Sequence, residues 1–262
     1  MKSIVLIGAA ASALMLAIVN AASAHDLVLV PRAAQTVTLE FGHPGEFQPP
    51  QGARFLRLDI YDTEHDAPVS LLDRLDEGAA SFLDLRVPSA RVTPAIVAAQ
   101  YDNGYWCTLD GKRYVNSSKL HVTGAKDSGS FLKFAKALFP DAADKGAFKR
   151  VLGQELEIIP LDDPFAVPIG GWLRIQIRFQ GKPLPGANVE VSDGITRIPE
   201  AGIPRFVTDK NGIASAPIAK PGLCIIEVDH QTPPLLPRLC DHDDYGATLS
   251  FEAGSGLSAR PR

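Results

Sequence analysis

Short runs of alternating or β-branched apolar residues recur along the chain, each bounded by Gly, Pro, Asp or Asn; in the first part they fall at 27–30, 36–41, 55–61, 81–87, 95–100 and 156–160. Runs of this length with period-two alternation predict strands. Their close spacing predicts antiparallel sandwich architecture rather than alternating strand and helix units. One segment departs from the rule: within 130–139, Phe131, Phe134, Ala135 and Leu138 recur at helical spacing, behind Ser130 as an N-cap and ahead of Pro140 as a stop. That pattern predicts a short helix near 130–140, inserted in an otherwise β domain.

Two prolines and two acids interrupt the strand rhythm in Leu161-Asp-Asp-Pro-Phe-Ala-Val-Pro168, which marks a boundary. Beyond it, strands are expected at 173–179, 187–191, 224–228 and 247–251, with a turn at 180–186 and, over 206–213, a strand running into a turn at Asn211-Gly212. The expected fold class is therefore all-β: two immunoglobulin-like or transthyretin-like β-sandwich domains, 25–162 and 163–253, followed by a frayed tail at 254–262.

The N-terminus reads differently. Lys2 is followed by a small and apolar stretch over 4–19 and by Ala22-Ser23-Ala24, which fits the rule for a cleaved secretory signal. The apolar run is short for a membrane span and no basic stop-transfer cluster follows it. Residues 1–24 are thus expected to be removed, leaving a soluble periplasmic chain that begins at His25. With 26 Lys and Arg against 30 Asp and Glu, and no basic cluster, the composition excludes nucleic acid as a natural partner. The three cysteines, Cys107, Cys224 and Cys240, leave two arrangements open: one bridge between Cys224 and Cys240 with a leftover thiol, or three unpaired thiols.

Cleavage before His25 would create unusual chemistry, because a terminal histidine offers its α-amine and its imidazole Nδ1 to one metal ion in a single chelate ring. The amine titrates at about 7.7–8.0, so a metal displaces only part of a proton near neutrality. Imidazole and amine nitrogens suit Cu(II), Ni(II) and Zn(II). The remaining ligands are sought in His43, within the rigid Gly42-His43-Pro44-Gly45 turn, His230 and His242, with Asp26 orienting an imidazole. His242 lies in the acidic run Cys240-Asp-His-Asp-Asp244, where a cation is attracted. His65 reads as a surface turn and His121 as part of an alternating strand; neither is a candidate. Tyr101, Tyr105, Trp106 and Tyr114 form the densest aromatic patch, read as buried packing beside a 105–115 hairpin. No nucleophile elbow, HExxH or phosphate-binding loop is present, and the expectation is a binding protein rather than an enzyme.

Taken together, HDLVLVP from His25, FGHPGEF from Phe41, LEIIPLDDP from Leu156, GKPLPGANVEV from Gly181, TDKNGIA from Thr208 and ATLSFEA from Ala247 resemble a family of periplasmic proteins of unknown function associated with nickel and cobalt uptake. The second half alone is similar to the carboxypeptidase regulatory-like sandwich. The first resemblance implies nickel or cobalt as cargo and a metal transporter of the inner or outer membrane as partner, whereas coordination chemistry alone favours copper. Two other readings use the same residues differently: a copper-dependent redox enzyme built on His25, and a metal-free carbohydrate- or protein-binding module.

Overall fold

A computed structural model describes residues 25–32, 36–62, 67–75, 82–84, 94–140, 146–197 and 202–254. The expected signal segment 1–24, His65 and the tail beyond Gly254 lie outside the described residues, as does most of the strand expected at 81–87.

The chain is built from strands: β1 Asp26–Arg32, β2 Thr36–Gly42, β3 Phe55–Asp62, β4 Val69–Ser70, β5 Phe82–Asp84, β6 Pro94–Leu109, β7 Lys112–Val115, β8 Asp127–Leu138, β9 Leu156–Pro160, β10 Trp172–Phe179, β11 Lys182–Pro183, β12 Asn188–Ser192, β13 Arg205–Val207, β14 Ile213–Pro217, β15 Gly222–Thr232 and β16 His242–Ala253. The only helical elements among the described residues are three one-turn 3-10 segments. No described helix is long and apolar enough to cross a membrane.

Nine strands form the central sheet, in the order β13-β12-β15-β16-β8-β6-β3-β4 with β7 beside β6. All of its pairings are antiparallel except one. Strand β16, from the end of the chain, lies parallel to β8 with His242 opposite Gly129 and Ser250 opposite Ala137, so the sheet runs without a break from the first half of the sequence into the second.

Each face of this sheet is covered. On one side the β1-β2-β5 sheet buries Leu27, Leu29, Val37 and Leu39 against Leu58, Ile60, Val97, Ala99, Ala135 and Ala137. Thr248 Oγ1 donates to the carbonyl of Leu27 at 2.6 Å and Ser250 Oγ to that of Leu29, which fixes β1 across β16. On the other side β9, β10, β11 and β14 bury Leu156, Ile158, Leu173, Ile175, Ile177, Ala214 and Ala216 against Phe134, Leu138, Ile226, Val228, Leu249 and Phe251. The arrangement is all-β and sandwich-like, as the strand pattern predicts.

The expected helix near 130–140 is corrected: residues 127–138 are strand β8, in the middle of the central sheet. A strand buried on both faces is apolar at nearly every position, so period two is lost from the sequence. Phe134 and Leu138 face the β9–β10 side, while Ala135 and Ala137 face β1 and β2. Lys133 and Lys136 would mark the solvent side of a helix, yet both are only 2 % exposed. His121 is likewise in a turn rather than a strand. The 105–115 hairpin forms as expected from β6 and β7; of the aromatic patch Tyr101 is buried in the core, its ring against Phe41 and Phe55, whereas Tyr105, Trp106 and Tyr114 are only partly buried. All three cysteines are buried free thiols.

Candidate functional site

The register of the β1–β2 ladder positions the first two histidines. Asp26 lies opposite Gly42 and Leu27 opposite Phe41, so His25 and His43 leave the same end of the ladder side by side. Their ring centroids are 5.0 Å apart at 62°, and the His25 ring stands edge-on to Phe41 at 5.4 Å. The loop after Gly42 is closed by paired hydrogen bonds between Phe41 and Gln48, at 2.8 and 3.0 Å, and by the Glu46 N–H on the His43 carbonyl at 2.8 Å. Gly42 has φ +142°, and a Cβ there would meet the Glu46 carbonyl at 2.8 Å; the turn that presents His43 requires glycine.

Burial lowers the pKa of His25, with the charges of His43, Arg113 and Lys133 acting in the same direction. The His25 ring is consequently neutral near pH 7 and keeps a lone pair for a metal ion. Arg113 reaches this neighbourhood from the β6–β7 hairpin, where its guanidinium lies over the Trp106 ring at 5.0 Å.

Beneath the histidines sits a buried charged group. Lys133 Nζ donates to Asp26 at 3.4 Å and to Asp229 at 3.3 Å. Glu227 completes the set, with one carboxylate oxygen from each of Asp26, Glu227 and Asp229 falling within 4.8 Å of the others. Burial, then repulsion from Asp26 and Asp229, raises Glu227 well above the carboxylate range, and its carboxyl donates to Asp26. Burial also raises Asp26, to about 6, against the pull of Lys133. The Lys133 ammonium therefore already serves as the cation of these carboxylates, and Asp26 belongs to the support under His25. Gly246 makes room for the lysine: a Cβ there would lie 2.3 Å from Nζ.

The other two candidate histidines are placed elsewhere. His230 follows Asp229 on β15 and so points to the opposite face. Its ring packs on Phe179 at 4.5 Å, and burial lowers its pKa. His242 has both ring nitrogens engaged, Nδ1 with Asp244 and Nε2 with Asp127 at 3.0 Å. The Asp244 hydrogen bond leads in raising its pKa to about 9, which makes it an imidazolium with no lone pair for a metal. The structure thus brings His25, His43 and Asp26 together and leaves His230 and His242 apart from them.

Lys133, Glu227 and Arg113 were not among the sequence candidates. The available signal for Lys133 was a lysine set in an apolar run on what proves to be a buried strand.

Among curated proteins, an uncharacterized protein of Haemophilus influenzae (strain ATCC 51907 / DSM 11121 / KW20 / Rd) is 26% identical over 196 residues, covering 73% of this chain and 78% of that protein. The family described as "Domain of unknown function (DUF4198)" matches residues 22–232, a span that contains His25, His43, the Lys133 group and His230. The chain belongs to the DUF4198 family.

Proposed function

We propose that this protein is exported to the periplasm, processed before His25, and binds a transition-metal ion that it delivers to a membrane transporter. The observation that carries the reading is the approach of His25 and His43, whose rings lie 5.0 Å apart at the end of the β1–β2 ladder. A processed chain adds the α-amine of His25 to the two imidazoles, giving three nitrogen donors from two residues. These donors suit nickel, cobalt or copper; the resemblance to nickel- and cobalt-associated periplasmic proteins favours the first two as cargo. The buried β1 holds the proposed terminus still, since residues 27–30 are at most 1% exposed. A fixed donor pair loses little entropy on binding, which favours capture.

The test starts from full-length chain secreted by a bacterial host, with intact mass locating the first residue of the purified protein. Ni(II), Co(II) and Cu(II) are then titrated calorimetrically into this protein, into His43→Ala, and into a chain with one glycine inserted between Ala24 and His25. The expected result is tight binding by the parent, weakened by His43→Ala and by the insertion. Equal binding by all three chains, or binding by none, overturns the proposal.

A further inference from the structure

The His43 turn does not stand alone; it rests on a turn from the other half of the chain. The Gly45 N–H donates to the Gly194 carbonyl at 3.1 Å. A Cβ on Gly45 would come within 2.8 Å of the Ile195 carbonyl, so the two backbones are in close contact. Glu46 is ion-paired with Arg197. Phe47, at the end of the same turn, packs with Leu223 against Val28, Val30 and Ile225. Gly194 lies over the same side chains, its Cβ position 3.0 Å from Leu223 and 3.1 Å from Ile225.

The 193–197 turn is itself organised by one carboxylate. Asp193 Oδ1 accepts the N–H groups of Ile195 at 2.9 Å and Thr196 at 2.6 Å. Its Oδ2 accepts the Thr196 hydroxyl at 2.7 Å and is paired with Lys220. An aspartate that binds the backbone two and three residues ahead fixes the path of its turn. The turn in turn fixes where Gly45 sits, two residues from His43.

From this geometry we infer that Asp193 is a positioning residue for the His43 ligand, holding its imidazole beside His25 through the contact of the two turns. The inference rests on the metal-binding reading above and adds to it a residue from the second half of the chain. It also explains why donors drawn only from residues 25–43 need that half to form a site.

The test uses the secreted full-length protein with Cu(II) as a spectroscopic probe and Ni(II) for affinity. Asp193→Ala should remove one imidazole nitrogen from the Cu(II) electron paramagnetic resonance signal and weaken Ni(II) binding about tenfold, the usual effect of losing a partner that orients a ligand. Asp193→Asn keeps an oxygen that accepts the Ile195 and Thr196 N–H groups, and it should retain both imidazoles. Gly45→Ala breaks the contact from the other side, in an exposed loop whose loss does not threaten the core, and should reproduce Asp193→Ala. Thermal unfolding of each variant separates a general loss of stability from a change in nitrogen count. If Gly45→Ala and a folded Asp193→Ala both keep two imidazole nitrogens while His43→Ala loses one, the inference fails and the metal-binding reading stands. If His43→Ala itself matches the parent, that reading fails first and takes this inference with it.

Discussion

Asp26 and Lys133, 107 positions apart in sequence, meet at 3.4 Å between Oδ1 and Nζ, with side chains 4% and 2% exposed. Each helps to make the other's charge tolerable there, with Asp229 as a second partner of Lys133. Lys133→Met is expected to destabilise the fold by about 3–5 kcal/mol, the usual cost of stranding a buried charge. Adding Asp26→Asn should recover part of that loss. Urea unfolding of the single and double variants checks this, and a double variant no more stable than Lys133→Met would count against the pairing.

Gly246→Ala probes the same place from the opposite strand. The new methyl group would meet Lys133 Nζ at 2.3 Å and Asp229 Oδ1 at 2.8 Å, in a sheet whose neighbours leave little freedom to shift. Overpacking of this kind costs about 1–3 kcal/mol. A lowered melting temperature, with strand content unchanged by circular dichroism, is the expected result.

The imidazolium of His242 makes stability depend on pH. Its folded pKa is raised, to about 9 from 6.5, chiefly by the Asp244 hydrogen bond. The contribution is therefore fully present below about pH 6.5 and is lost as pH rises through about 9. Unfolding free energies measured from pH 6 to 10 should fall across that window in the parent, by an amount on the order of 2 kcal/mol. His242→Gln should flatten the slope; an unchanged slope would contradict the doubly bonded geometry.

On the proposed metal-binding reading, an ion held by the folded chain alone raises its stability by mass action. Ni(II) at about a hundred times its dissociation constant should add about 2.7 kcal/mol to the unfolding free energy of processed protein. His43→Ala should shrink that increment, while His230→Ala, altering a ring packed on Phe179 across the sheet, should lower baseline stability and leave the increment intact. Melting curves with and without the metal separate the two effects.

The strands were largely legible because alternation survives wherever one face of a sheet meets solvent, as in β10, whose pattern alternates Leu173, Ile175 and Ile177 with polar residues. It failed at β8, where Lys133 and Lys136 are polar in sequence but buried in ion pairs with Asp26, Asp229 and Glu157. The candidate site was legible in part for the same reason. His25 and His43 could be named from their turn and from the expected cleavage, and the ladder between β1 and β2 brings them together locally. The fates of His230 and His242 depend on which face of β15 and β16 each side chain takes and on Asp127, a partner on the neighbouring strand β8 but 115 positions away in sequence. A residue-by-residue reading has no access to either.

The parallel alignment of β8 with β16 also sets a timetable for folding. The antiparallel neighbour of β8, β6, is already present once the first half has been made, but its other edge waits for β16, the last described strand. Closing so long a loop carries an entropic cost before any contact rewards it, and such topologies are slow to form. Until β16 arrives, β8 offers an open edge and an unpaired ladder, the kind of surface on which chains add to one another. A chain that ends early, or that waits too long for its final strand, is thereby exposed to aggregation, and a chaperone that shields β8 would act at the moment of greatest need.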